Sequence, residues 1–276
     1  MMRRSIRLLT TATLATLIVA GGTPASSAAD DRTHPPSRRC GDRSLRGDYG
    51  FTAQGVVTAA AGLPAPLQGP FASAGLATFD GRGHFTLVAT ASFNGLVQPV
   101  ETSGTYGVNP DCTYTSVADN GVTFYAAILD GGDEIAIIQT TPGVAISGRA
   151  RRVDRGHGEG TCERRIAGRT YGFTASGSAG PPTVPPEVAG PLVGAGIVAF
   201  EPDGTFVLTA RRSVAGLVDP EPLVLAGTYT VAADCTLDMA FDVGFTFTGV
   251  VVDRGREFVL VETDPGTALV VTAKRL

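Results

Sequence analysis

The stretch Phe85-Thr86-Leu87-Val88-Ala89-Thr90-Ala91-Ser92-Phe93 puts Phe85, Leu87, Ala89, Ala91 and Phe93 on one side of an extended chain and Thr86, Val88, Thr90 and Ser92 on the other. A period of two belongs to a strand with one buried face; a helix needs apolar residues three and four apart. Turn chemistry punctuates the sequence around it at short intervals: Asp80-Gly81-Arg82-Gly83, Asn109-Pro110-Asp111, Asp130-Gly131-Gly132-Asp133 and Thr141-Pro142-Gly143. These signals predict eight strands, starting near Gly47, Phe71, His84, Val97, Cys112, Val122, Glu134 and Val144. Connections this short require antiparallel neighbours. Eight such strands in about 110 residues suit a closed up-and-down β-barrel, which leaves no sheet edge, with a two-sheet β-sandwich as the alternative.

The whole pattern then occurs a second time. At a shift of about 121 to 123 residues, Cys40 falls on Cys162 and Tyr49-Gly50-Phe51-Thr52-Ala53 on Tyr171-Gly172-Phe173-Thr174-Ala175. Gly104-Thr105-Tyr106 falls on Gly227-Thr228-Tyr229, Asp111-Cys112-Thr113 on Asp234-Cys235-Thr236, and Pro142-Gly143 on Pro265-Gly266. The period far exceeds that of solenoid repeats, so each copy is expected to be a domain in its own right. The reading is therefore all-β, two tandem eight-stranded antiparallel barrels at 40–153 and 162–276, joined by a polar glycine-rich connector at 154–161. Several strands are apolar on both faces, Ile135-Ala136-Ile137-Ile138 and Phe258-Val259-Leu260-Val261 among them. Their outer faces need a cover, supplied by repeat–repeat packing or by a homodimer.

Residues 1–29 carry Arg3, Arg4 and Arg7, then the apolar run Leu8 to Ala20, then small residues up to Ala29. This is the three-part pattern of a signal peptide, followed by an N-terminal tail at 30–39, and it implies a secreted or periplasmic protein. No later segment reaches the length of apolar chain that a membrane-spanning helix needs. In an exported chain, four cysteines at duplicated places point to disulfides. Three pairings are possible; Cys40 with Cys112 and Cys162 with Cys235 is the one that an unduplicated ancestor could already have made.

The formal net charge of −4 becomes more negative once Arg3, Arg4 and Arg7 leave with the leader, so nucleic acid is not an expected partner. The three histidines, His34, His84 and His157, lie far apart, and no C-x-x-C, H-E-x-x-H, G-x-S-x-G or phosphate-loop pattern occurs. No metal, cofactor or catalytic residue is therefore expected. The absence of Trp disfavours sugar binding, which calls on stacking platforms. The remaining candidates for ligand contact are polar residues on strands: Tyr106 and Tyr229, Gln139 and Glu262, and Arg211, which with Arg212 stands on the third strand of the second copy where the first has Ala91-Ser92. Arg211 or Arg212 could pair with Glu262 or with an anionic ligand. The same tyrosines are also accounted for as barrel caps, and Gln139 and Glu262 as solvated strand ends. The Pro-rich segments around Pro64 and Pro181 read as rigid spacers that lengthen one loop per copy.

The recurring frame of Cys, Gly-x-Tyr-Gly-Phe, Asp-Gly-x-Gly-x-Phe, Gly-Thr-Tyr-x-Val, Asp-Cys-Thr and Thr-x-Pro-Gly resembles a group of exported bacterial proteins of unassigned function. The resemblance covers residues 40–152 and 162–275 and departs from the frame where Glu201-Pro202-Asp203-Gly204 replaces the Asp-Gly pair. It implies an architecture similar to calycin or allene-oxide-cyclase-like barrels, folds that host carriers, inhibitors and cyclases alike. The expected function is that of a non-enzymatic tandem barrel binding a small apolar molecule or a partner protein. A barrel-type cyclase or isomerase and a structural or envelope-associated module are the alternatives.

Overall fold

The computed structural model describes residues 39–154 and 161–276; the signal-like stretch 1–29, the tail to residue 38 and the connector residues 155–160 lie outside the described residues. The first copy forms β1 (Arg46–Val57), β2 (Gly69–Asp80), β3 (His84–Phe93), β4 (Leu96–Val108), β5 (Thr113–Ala118), β6 (Thr123–Leu129), β7 (Glu134–Gln139) and β8 (Val144–Arg152). Each pairs antiparallel with the next, and β8 returns to β1, with Tyr49 opposite Arg152 and Val57 opposite Val144. The barrel is closed, which excludes the sandwich, and every strand starts within two residues of its expected position.

The second copy forms β9 (Thr170–Ala179), β10 (Gly190–Phe200), β11 (Thr205–Val214), β12 (Leu217–Val218), β13 (Leu223–Val231), β14 (Thr236–Phe241), β15 (Thr246–Val252), β16 (Glu257–Glu262) and β17 (Thr267–Arg275). It closes through the pairing of β9 with β17 and β10, and of β10 with β11. Its fourth strand comes in two pieces, β12 and β13. Asp219-Pro220-Glu221-Pro222 inserts two residues without a backbone N–H into that run. The one α-helix among the described residues is the single turn and a half α1 (Thr161–Ile166).

Aromatic rings plug one end of each barrel. In the first, Phe79 is met edge-on by Tyr49 at 5.5 Å and by Tyr106 at 5.2 Å; in the second, Phe200 is met by Tyr171 at 5.7 Å and Tyr229 at 4.8 Å. Tyr49 and Tyr171 each donate a 2.6 Å hydrogen bond to a turn carbonyl, Gly132 and Gly255, so the buried hydroxyls are satisfied. Leu45 and Ile166, both fully buried, close the plugged ends from the segments that enter β1 and β9. Cys40–Cys112 and Cys162–Cys235 tie those segments to the start of the fifth strand of the same copy. The duplicated Asp-Cys-Thr has a local cause. Asp111 and Asp234 accept the amide of Thr113 and Thr236 two residues on, which holds Cys112 and Cys235 at φ of 68° and 72°.

The barrels pack outer face on outer face. Ala72 and Ala74 of β2 bury against Val261 of β16 and Ala268 and Val270 of β17. Gly50 of β1 lies so close to Val250 and Val252 of β15 that a Cβ there would collide with them. Ser92 donates to the Thr267 carbonyl, Gly266 N–H donates to the Gly95 carbonyl at 2.9 Å, and Arg151 bridges Glu134 at 2.8 Å and Glu257 at 2.9 Å. The other copy thus covers the outer face of Phe258 to Val261. The matching face of Ile135 to Ile138 stays open, with Ile138 48% exposed.

Two outcomes follow from this geometry. Non-reducing peptide mapping should recover Cys40 with Cys112 and Cys162 with Cys235. Bridges closing 72 and 73 residues are each worth on the order of 4 kcal/mol in the chain-entropy model, so reductant should lower the melting temperature substantially. Gly266 has φ +90° with the carbonyls of Gly180 and Pro181 2.6 Å from a would-be Cβ, whereas Gly216 has φ +85° and open space around it. Gly216→Ala should cost about 1 kcal/mol for backbone conformation alone, and Gly266→Ala clearly more, in urea unfolding. Equal losses would mean that the contact between the turn and the loop is not made.

Candidate functional site

Opposite the aromatic plug, each barrel encloses a cavity. In the first it measures about 450 Å³ and is walled by Phe51, Phe71, Leu87, Ala91, Phe93 and Ile146. In the second it is about 220 Å³, walled by Phe173, Leu208, Met239, Phe241, Leu260 and Val271. The difference in size has a sequence cause. Met239, Phe241 and Val271 fill positions that Ser116, Ala118 and Gly148 hold in the first copy, and the strand register puts Arg211-Arg212 at the places of Thr90-Ala91, one residue off the match with Ala91-Ser92 expected from the sequence.

The Pro-bearing loops reach over these mouths. Ala61 and Leu63 of the β1–β2 loop line the first cavity, and Thr183 and Val184 of the β9–β10 loop line the second. The first loop is pinned to the Thr-x-Pro-Gly turn by Thr58 N–H donating to the Gly143 carbonyl at 2.8 Å, and the second by Gly180 N–H donating to the Gly266 carbonyl at 2.7 Å. Gly143 and Gly266, at φ of +84° and +90°, let the loops come this close. The segments read as spacers are covers for the open ends.

The structure separates the sequence candidates into two groups. Tyr106 and Tyr229 belong to the plugged ends: Tyr106 donates to the Leu45 carbonyl at 2.9 Å and Tyr229 to the Glu201 carbonyl at 2.8 Å. Gln139 and Glu262 occupy the same register, opposite Phe124 and Phe247, at the open end, and each lines its cavity. Arg211 is exposed on the outward side of β11, donating to the Asp219 carbonyl at 3.2 Å. The pairing of Arg211 or Arg212 with Glu262 does not form. Arg212 points inward and is held instead by Asp219, Nε to Oδ2 at 2.8 Å, a carboxylate supplied by the break in the fourth strand. Asp219 was not legible as a partner, because the contact depends on where that break turns the chain.

Glu262 is also not a solvated strand end. It is 4% exposed, and no described residue makes a hydrogen bond or ion pair with its carboxyl group. Burial pushes its pKa up to about 8, the nearby Asp264 carboxylate adding to the shift and the Arg212 guanidinium opposing it. The other polar groups around the second cavity are engaged: Thr183 donates to the Pro265 carbonyl at 2.6 Å and Thr267 to the Asp264 carbonyl at 2.9 Å. In the first cavity Ser73 donates to the Thr90 carbonyl at 2.9 Å. Among the described residues no group of His, Cys, Asp and Glu is placed to hold a metal ion, and no helix is long and apolar enough to cross a membrane.

Fold and cavities together define a tandem closed β-barrel protein with one enclosed, largely apolar interior per barrel. No family model matches the chain, and no curated protein does. Among solved structures it is similar to the isotype 1 transferrin binding protein B of serogroup B Neisseria meningitidis, with 10% identity, a TM-score of 0.27, and coverage of 84% of this chain and 77% of that one. It is also similar to a porin-like protein from Bacteroides uniformis, with 10% identity, a TM-score of 0.19, and coverage of 82% and 97% respectively. Likeness at this level carries no functional inference.

The buried acid gives the fold a pH dependence. The folded chain holds the Glu262 proton to about pH 8, while the ordinary value is 4.5, so between these limits the unfolded state binds fewer protons. The contribution to stability is fully present below about pH 4.5 and is lost as pH rises through 8, with a slope of at most about 1.4 kcal/mol per pH unit. Glu262→Gln should flatten that slope in denaturant unfolding measured from pH 5 to 9 and be the more stable protein at pH 9. An unchanged slope would show that this carboxyl is not buried.

Proposed function

We propose that this is an exported, non-enzymatic tandem barrel that takes a small apolar molecule into a barrel interior, the first barrel being the larger site. The carrying observation is the first cavity: about 450 Å³, apolar on nearly all sides, with the Gln139 amide at its open end. That volume falls within the range of small-molecule sites, and an apolar wall with a few polar side chains, here Gln139, Asn120 and Thr141 among them, is typical of such sites; the second cavity lies below the range. The leader pattern of residues 1–29 and the two disulfides support export.

A second reading, a barrel-type cyclase or isomerase acting on an apolar substrate, draws on Glu262, since a buried carboxyl at the wall of an apolar cavity is a candidate proton donor. It lacks a second free polar group beside that acid: Arg212 is engaged by Asp219, and Thr183 and Thr267 are bonded to backbone.

The test is titration with N-phenyl-1-naphthylamine, a neutral aromatic probe whose fluorescence rises in apolar surroundings. Ala91→Phe puts a ring into the first cavity without adding a polar group. The variant should keep the far-ultraviolet circular dichroism of the parent and bind the probe at least tenfold more weakly. Undiminished binding by the variant, or none by the parent, would remove the first barrel as the site.

A further inference from the structure

The second barrel holds a group whose chemistry is incomplete. Glu262 ends β16 beneath the mouth loop, is 96% shielded from solvent, lines the cavity, and has no hydrogen-bond or ion-pair partner among the described residues. No fully buried side-chain nitrogen or oxygen among the described residues lacks a partner, so the unpartnered carboxyl is open to the cavity, where a ligand can reach it. Its surroundings specify what is missing. The charged residues lining the cavity are Arg211, Arg212 and Glu262 itself. Arg211 is turned outward, and Arg212 is committed to Asp219. In the turn after β16, Asp264 adds a second negative group, which accepts the Thr246 amide at 2.7 Å. The facing residues of β15, β17 and the mouth loop, Phe247, Leu269 and Val184, bring no charge. With Glu262 ionised, the carboxylates of Glu262, Asp219 and Asp264 outnumber Arg211 and Arg212 by one charge, and the complement to that ionised state is a cation with N–H donors.

Size narrows the class. A cavity of about 150 Å³ accommodates benzene. The 220 Å³ here leaves room for one ring, or a comparable aliphatic body, bearing a two-carbon arm and an amino group.

We propose that the second barrel binds a small primary amine with an apolar body, its ammonium group paired with the Glu262 carboxylate and its body against Phe173, Leu208, Met239 and Leu260. The proposal rests on the reading that barrel interiors take apolar guests, and it adds that the two copies have diverged in the guest they select. At the same register the first barrel has the neutral amide of Gln139, which offers no counter-ion to an ammonium group. The proton balance is explicit. At pH 7 Glu262 carries its proton and the free amine is already an ammonium ion, so pairing them sends the carboxyl proton to the buffer.

Calorimetric titration of the full chain with 2-phenylethylamine and with 2-phenylethanol, its neutral counterpart of equal size, tests the proposal. The amine should bind at least tenfold more tightly. Titrations at pH 7 in phosphate and in imidazole, buffers of different ionisation enthalpy, should report close to one proton released per amine bound. In Glu262→Gln the preference for amine over alcohol should fall to threefold or less and the proton release should vanish. Ala210→Phe, which fills the same cavity and leaves Glu262 in place, should also abolish the tight amine binding. Equal binding of amine and alcohol by the parent, or an unchanged preference in Glu262→Gln, overturns the proposal and leaves the apolar-guest reading standing. Binding of neither compound also overturns it, while the fate of the apolar-guest reading is decided separately by the naphthylamine titration of the first barrel.

Discussion

Closure of each sheet is the constraint on which the rest depends. When β8 pairs back to β1, and β17 and β10 pair with β9, the edges of the sheets are satisfied and each strand acquires an inside and an outside. Alternation then assigns every strand residue to one of two environments. Leu87 and Ala91 must help to fill an interior, and Val88 between them faces outward. An eight-stranded barrel of this kind is just wide enough for side chains to fill, so its interior volume depends on which side chains point in. Large rings at one end fill it completely; small residues at the other leave space.

The two ends of each barrel have different tasks. At the plugged end Tyr49, Phe79 and Tyr106, and Tyr171, Phe200 and Tyr229, pack edge to face, and the tyrosine hydroxyls donate to backbone carbonyls of the turns and of the segment that enters β1. The disulfides bind the entering segment over this end. At the open end the turns are glycine-rich and the Pro-bearing loops fold across the cavity. Stability is concentrated at one pole and access at the other. The packing of β2 on β16 and β17 further ties the outer face of one barrel to that of its neighbour. Because that interface uses different faces of the two copies, it leaves the equivalent face of the first barrel open, and the duplication is not a symmetric dimer in a single chain.

The copies differ along much of their length, and the exchanges that bear on what each barrel can hold lie in the interior of the open half. Ser116, Ala118 and Gly148 give way to Met239, Phe241 and Val271, Ala91 to Arg212, and Gln139 to Glu262. Exchanges that bulk out one interior and charge its mouth leave the closure, the bridges and the central Tyr-Phe-Tyr group of the plug in place in both copies, while Tyr114 and Ile135 beside that group become Leu237 and Phe258. Shared residues therefore report the fold, and altered ones report what each interior admits.

The sequence by itself determined the strand count, the antiparallel order, the duplication and the grouping of the cysteines, because period-two alternation, turn chemistry and repeated spacing are all local properties. It also singled out Gln139 and Glu262, since matched positions at the ends of apolar strands stand out in a duplicated chain. Tertiary structure alone decided that the sheets close rather than stack, because closure is a pairing between the first and last strands of a copy. It decided that Tyr106 and Tyr229 serve the plug and that Arg212 is held by Asp219, because hydrogen bonds between residues far apart in the chain depend on where closure brings the backbone. It decided, too, that Glu262 is buried without a partner. Burial belongs to the surrounding loop, turn and strands together, and no spacing along one strand can reveal it.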